Sequence, residues 1–284
     1  MIRIVCWNIA RKVKPWYELA DMARRGEVDV VLLQEAGSPP GDLAHLIRHD
    51  DDVFWNRQLY DRWPLVVKLS ERVEVERFRQ VPPISELGEN DIGVSGIGTL
   101  AVARIVPKGQ SEDAFIAASL YARYMKPHPS TNTPWQVGAS DVSVHRILSD
   151  LSTFIGHEDA SRHRILAAGD LNMIYGATGG RLSLPERERA TWSRIAALGL
   201  EFLGPQLPNG RRAATAQPDV PADTRNVPTY YSPQQRSPAN ADRQFDYAIA
   251  SRGFHERITV RALNGVEEWG SSDHCRLLLD VDVG

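Results

Sequence analysis

Residues able to do acid–base or metal chemistry recur where short apolar runs stop. Asn8 follows IleValCysTrp and Glu35 follows ValValLeuLeuGln. Asp170 and Asn172 follow IleLeuAlaAlaGly, Asp246 opens the run PheAspTyrAlaIle, and Asp273 and His274 come just before CysArgLeuLeuLeu. One carboxylate after a strand is ordinarily a loop residue or a helix cap. Five such positions with Asp, Glu, Asn and His mixed in are another matter, because α/β sheets bind ligands at the carboxyl ends of their strands. The oxygen set of Asn8, Glu35, Asp170, Asn172 and Asp273 suits Mg²⁺ or Mn²⁺, which take carboxylate and amide oxygens and keep several waters. Zinc fits less well. Of eight histidines only His274 lies in the set, and neither Cys6 nor Cys275 has a Cys or His at zinc-finger spacing. A metal beside a charged imidazole is suited to stabilise negative charge that develops in a transition state.

The elements that must hold these groups alternate short strands with helical patterns. Ile2 to Trp7 reads as a strand, Trp16 to Arg25 as a helix ending at Gly26, and Val28 to Leu33 as an almost wholly apolar strand covered on both faces. Leu65 to Leu69, Val73 to Phe78, Ile97 to Val106 and Phe115 to Tyr121 follow as strands joined by polar turns, which predicts antiparallel pairing and a mixed sheet. Asp141 to Ile155 has the clearest amphipathic spacing, with Ser140 or Asp141 as N-cap. Ile165 to Ala168 is a strand and Pro185 to Leu198 a helix. Phe245 to Ala250, Arg257 to Ala262 and Arg276 to Val281 close the chain as strands. Between them, Gly204 to Ala241 shows no clear element and reads as a long surface excursion, to about 243, of a single domain over 1–284.

Composition removes several classes. With 33 Lys+Arg against 36 Asp+Glu the net charge is -3, which lacks the basic excess of histone-like nucleic-acid binders. Two cysteines in 284 residues make no disulfide framework, and both sit in apolar runs as buried thiols do. No stretch approaches the roughly 18 apolar residues of a membrane span, and MetIleArgIleValCysTrpAsn is too short for a signal-peptide core. These features predict a cytoplasmic protein and a monomer.

TrpAsnIle at 7–9, GlnGlu at 34–35, GlyAspLeuAsn at 169–172, AspTyr at 246–247 and SerAspHis at 272–274, in that order, resemble the endonuclease/exonuclease/phosphatase superfamily, of the deoxyribonuclease I-like and exonuclease III-like kind. The resemblance spans nearly the whole chain. It implies an α/β four-layer sandwich, two mixed β-sheets packed face to face with helices outside, and one site where the sheets meet. It implies Glu35 as the main metal ligand, with Asn8 and Asp273, for Mg²⁺ or Mn²⁺. Asp170 would position or deprotonate water, and Asn172 would hold it and a phosphate oxygen. His274, hydrogen-bonded to Asp246, would bind the scissile phosphate, with Tyr121 also contacting it. An Asp on one ring nitrogen fixes the tautomer and raises the imidazole pKa. Part of the family has an acidic residue two positions after the motif Asn; here Ala10 stands there, which bears on a second metal.

Arg11, Arg243 and Tyr230 are weaker candidates for substrate contact, as are Lys12, Tyr231, His128 and Trp135, while His145 is expected on the solvent side of its helix. The implied function is a divalent-metal-dependent phosphodiester hydrolase, foremost a nuclease with DNA or RNA as partner. The alternatives are a phosphatase or phosphodiesterase of a small phosphoester or lipid head group (phosphoinositide, sphingomyelin), or an inactive binding module.

Overall fold

The computed structural model describes residues 1–47, 63–82, 85–96, 98–125, 128–131, 139–180 and 184–284. One sheet contains β1 (Ile2–Asn8), β2 (Val30–Ala36), β3 (Trp63–Lys68), β12 (Ile258–Leu263) and β13 (Arg276–Val281), in the order β12-β13-β1-β2-β3. The other contains β4 (Val73–Arg77), β7 (Leu100–Pro107), β8 (Phe115–Tyr121), β9 (Ile165–Asp170), β10 (Leu200–Gly204) and β11 (Asp246–Ser251), in the order β10-β11-β9-β8-β7-β4. Both sheets are mixed: β1 runs parallel to β2 and β8 parallel to β9, and the other pairs are antiparallel. β5 (Arg79–Val81) and β6 (Asp91–Gly93) form a small parallel ladder apart from them.

Alternation along β1 shows why four layers form. Ile2, Ile4 and Cys6 enter the core between the sheets, while Val5, Trp7 and Ile9 pack outward on Trp16, Leu19 and Ala20 of α1 (Lys14–Arg24). A strand covered on both faces has to be apolar on both. The facing sheet offers the inter-sheet core an alanine-rich surface of Ala101, Ala103, Ala117, Ala168, Ala248 and Ala250. Its other face carries Leu100, Val102, Leu120, Ile165 and Ile249 against Val144, Ile147, Leu148 and Leu151 of α2 (Asp141–Leu151) and Ile195 of α3 (Pro185–Ala197). Four layers result, two mixed sheets face to face with helices outside.

Several boundaries differ from expectation. α2 stops at Leu151 and continues as a short 3-10 turn, Ser152–Phe154. Ser140 makes no side-chain cap to α2, because its hydroxyl donates instead to the Asn172 carbonyl at 2.6 Å. β10 lies within Leu200–Gly204, where no strand was expected. Beyond it, 205–245 holds one three-residue 3-10 turn and no strand, yet Val227 and Ala241 belong to the inter-sheet core. Ile97 and Trp135 lie outside the described residues. Among the described residues no helix is long and apolar enough to cross a membrane.

Gly169, at the end of β9, pairs with Leu120 on β8. A Cβ there would lie 1.8 Å from the Leu120 carbonyl oxygen, so backbone would have to move. Gly169→Ala is therefore expected to lower stability by about 3 kcal/mol or more, at or beyond the upper end of ordinary overpacking. Urea unfolding followed by tryptophan fluorescence measures it, and a loss under 1 kcal/mol would contradict the close approach.

Candidate active site

Strand register brings the expected residues to one end of the sandwich. Asp246 at the start of β11 stands opposite Asp170 at the end of β9, and Tyr121 at the end of β8 stands opposite the same Asp170. From the other sheet, Asn8 at the end of β1 donates through Nδ2 to Asp170 Oδ2 at 2.9 Å. The turn before β13 is tied to β1 twice: Trp7 Nε1 donates to the His274 carbonyl at 2.9 Å, and Ser272 Oγ donates to the Asn8 carbonyl at 2.7 Å. That delivers His274 to Asp246, with Nδ1 2.8 Å from Asp246 Oδ2 and Nε2 3.9 Å from Asp170 Oδ2. The last gap is small enough for one oxygen atom to touch both groups.

Backbone strain concentrates here. Six described non-glycine residues have positive φ, and four are Ala10 (48°), Arg11 (60°), Glu35 (47°) and Asn172 (47°). Side chains disfavour this left-handed region by roughly 1–2 kcal/mol, so surrounding contacts must impose it. At Glu35 the pairing of β2 with β3 shifts register between Leu33 and Ala36. Gln34 anchors the distortion, since its buried Nε2 donates to Ser119 Oγ of the facing sheet at 2.9 Å while Ser119 Oγ donates to the Leu33 carbonyl at 2.6 Å. Glu35 then turns to the site, where Tyr121 donates its hydroxyl to Oε1 at 2.8 Å. At Asn172 the backbone N–H donates to Asp170 Oδ1 at 2.9 Å, and Nδ2 donates to Asp170 Oδ2 at 3.1 Å and to the Ala122 carbonyl at 2.9 Å.

Charge is out of balance. Burial pushes the Asp170 carboxyl up; His274 opposes this, but Asp246 and Glu35 add to it, and the pKa reaches about 7. Burial would lower the His274 imidazole, yet the charge and hydrogen bond of Asp246, with Asp170 and Asp273, raise it to about 10. Four carboxylates thus surround one imidazolium, and Asp246 Oδ1 is buried without a hydrogen-bond partner. Such a site is short of positive charge, and its free donors are hard oxygens, so it suits a divalent cation. Asp170, Asp246 and His274 each offer a ligand atom, all within 4.8 Å of one another. Nδ1 is already held by Asp246, Nε2 stands 3.9 Å from Asp170, and half-buried Glu35 and Asp273 add carboxylate oxygens beside the trio.

Tyr230 bridges in backbone pairing to both Arg243 and His274, and its ring lies 4.8 Å from the His274 ring. Half-buried Arg243 leaves its Nε without a partner. Arg11 is exposed, with its N–H on the Glu35 carbonyl at 2.8 Å, and Lys12 donates to the Ser271 carbonyl at 3.2 Å. Tyr231 donates its N–H to the Asp273 carbonyl. Exposed His128 sits 2.7 Å from Ser130 Oγ. His145, expected toward solvent, is half-buried against Thr191 and Arg194 of α3, and burial with the Arg194 charge lowers its pKa. Sequence reasoning passed over Thr229, whose buried Oγ1 accepts from the N–H groups of Phe245 (3.0 Å) and Asp246 (3.2 Å) and whose carbonyl accepts from Cys275. It also passed over Ser119, and it named Gln34 only within the GlnGlu motif, without its bond across the sheets.

Fold and site define a four-layer α/β phosphoric-ester hydrolase. The profile of the Endonuclease/Exonuclease/phosphatase family matches residues 5–274, and the chain belongs to that family. Among solved structures it is similar to the endonuclease domain of TRAS1, a telomere-specific non-LTR retrotransposon, at 16% identity and TM-score 0.61, covering 99% of this chain and 98% of that one. An AP endonuclease, LMAP from Leishmania major, matches at 16% identity and TM-score 0.61 over 99% of this chain and 87% of that one. An AP endonuclease from Archaeoglobus fulgidus matches at 15% identity and TM-score 0.61 over 100% of both chains. No curated protein matches the sequence.

Because the His274 pKa in the folded chain lies above its ordinary 6.5, the stability it contributes is full below pH 6.5 and is lost as pH rises through about 10. In metal-free protein the His274 ring is expected to remain protonated at pH 8, and Asp246→Asn should move its titration to lower pH. ¹⁵N NMR of the ring measures both, and a neutral wild-type ring at pH 8 would refute the assignment.

Proposed function

We propose that this chain is a divalent-metal-dependent nuclease that hydrolyses phosphodiester bonds of DNA or RNA. The observation that carries it is the Asp170–His274–Asp246 arrangement, with Asp170 held by three donors, joined across the sheets to Asn8 and facing Glu35. Its membership of a phosphoric-ester hydrolase family and its likeness to three endonuclease structures support nucleic acid as substrate.

Glu35, Asn8 and Asp273 would hold Mg²⁺ or Mn²⁺, which when bound offsets phosphate charge and polarises the phosphoryl oxygen. Asp170, fixed by Asn8 and Asn172, orients the attacking water and takes its proton. Asp246 holds the His274 ring so that Nε2 faces the phosphate and stabilises charge growing on its oxygens. Tyr121 fixes the carboxylate of Glu35 and stands beside the same phosphate. Both Nδ2 hydrogens of Asn172 are committed to Asp170 and Ala122, so its part is to hold Asp170 and, through Oδ1, the water. Arg243, Tyr230 and exposed Arg11 line the approach and would meet the flanking backbone. The free, buried Cys6 and Cys275 support a reducing compartment such as the cytoplasm.

Plasmid and single-stranded DNA and RNA incubated with purified protein and Mg²⁺ should be cleaved, and EDTA should abolish cleavage until metal is restored. Asp170→Asn and His274→Ala should each lower kcat by about 10²-fold or more, the scale of one base or one electrostatic group. Release of phosphate or phosphocholine from a small phosphoester, with no cut in any nucleic acid, would overturn the proposal.

A further inference from the structure

Beside the site, a cavity of about 490 Å³ opens between α3 and the edge strand β10. Its lining includes Ile174 and Tyr175, two and three residues past Asn172, so the chain places that part of its wall within about 10 Å of Asn172. Its aromatic wall is half-exposed. Tyr175 and Phe202 stack at 3.9 Å with planes 6° apart, and Trp192 meets both edge-on at 5.1 and 5.5 Å.

Polar groups in the same wall lack partners. Glu188 is 6% exposed, and its Oε2 has no hydrogen-bond partner. Trp192, one turn further along α3, leaves its indole Nε1 unpaired as well. Burial raises the Glu188 carboxyl to about 7, against backbone hydrogen bonds from Leu184 and Ile174 that favour its charged form. Exposed Arg189, also in the wall, has no carboxylate partner among the described residues. A structure this well hydrogen-bonded leaves buried polar atoms unpaired for a reason. Here an orphan acceptor and an orphan donor flank an aromatic stack that a flat ring can extend, with a free guanidinium at the rim.

We propose that the α3–β10 cleft is a nucleotide-binding subsite, in which a base extends the Tyr175–Phe202 stack and its phosphate meets Arg189. The polar atoms of Glu188 and Trp192 are sealed behind that stack, and a small shift of their side chains would bring them to the base edge. Stacking on aromatic side chains with arginine on the backbone is how single strands are held without sequence preference. The inference rests on nucleic acid as the substrate, and the occupant is either a flanking nucleotide of the strand being cut or a free mononucleotide.

Arg189→Ala changes an exposed residue and leaves the fold alone; Phe202→Leu removes the stack while keeping an apolar side chain. For a single-stranded 20-mer, each variant should raise KM by about 10-fold with kcat little changed, while hydrolysis of bis(p-nitrophenyl) phosphate stays at the wild-type rate. Quenching of tryptophan fluorescence by AMP in wild-type protein, lost in Arg189→Ala, identifies a free mononucleotide as a second source; no quenching leaves the flanking strand as the occupant. If the wild type cuts the 20-mer and both variants keep its KM, the subsite is refuted while the nuclease reading stands. If the wild type cuts no nucleic acid, both fail together.

Discussion

One contact ties the two halves of the molecule into a site: Asn8, on the sheet that carries Glu35 and His274, donates to Asp170 on the sheet that carries Asp246 and Tyr121. A bond of 2.9 Å tolerates little change in the distance between sheets. That distance is set by alanines on the inner face of one sheet against Ile, Val and Leu on the other, so small side chains away from the candidate site fix how closely Asn8 and Asp170 meet. Gln34 and Ser119 brace the same interface one residue behind Glu35.

The energetic character of the site follows from what burial does to like charges. Packing Asp170 and Asp246 against each other without water is unfavourable, and a single imidazolium does not offset it. The fold tolerates this because Asp170 receives hydrogen bonds from Asn8 and Asn172, which strands and turns fix elsewhere, while Thr229 holds the Asp246 backbone N–H. Four left-handed residues around the site add to the cost, and stored strain of this kind is characteristic of functional sites.

Much of this was legible in the residues. Polar groups at strand ends located Asn8, Glu35, Asp170, Asp246 and His274, because strand periodicity and a site at one sheet edge are both local properties of sequence. β10 escaped notice because LeuGluPheLeuGly is five residues long and half-exposed, with neither clean alternation nor a solid apolar run. Thr229 was invisible for another reason: it lies in a stretch with no periodicity, and its importance comes from hydrogen bonds to Asp246 and Cys275, which are close only after folding. The left-handed turn at Glu35 had no Gly or Asn to announce it, since tertiary contacts impose it. His145 looked solvent-facing on α2 alone, and only α3 packing across it changes that.

The pairing of β1 with β13 joins residues some 270 positions apart, and Trp7 reaches the His274 carbonyl over a sequence separation of 267. Contacts so distant along the chain carry a large loop-closure entropy. Synthesis delivers Asp170 and Asp246 before His274. The Asp170–His274–Asp246 cluster therefore comes together only when the turn before β13 docks, and a chain cut before that turn carries the two carboxylates but not the imidazole.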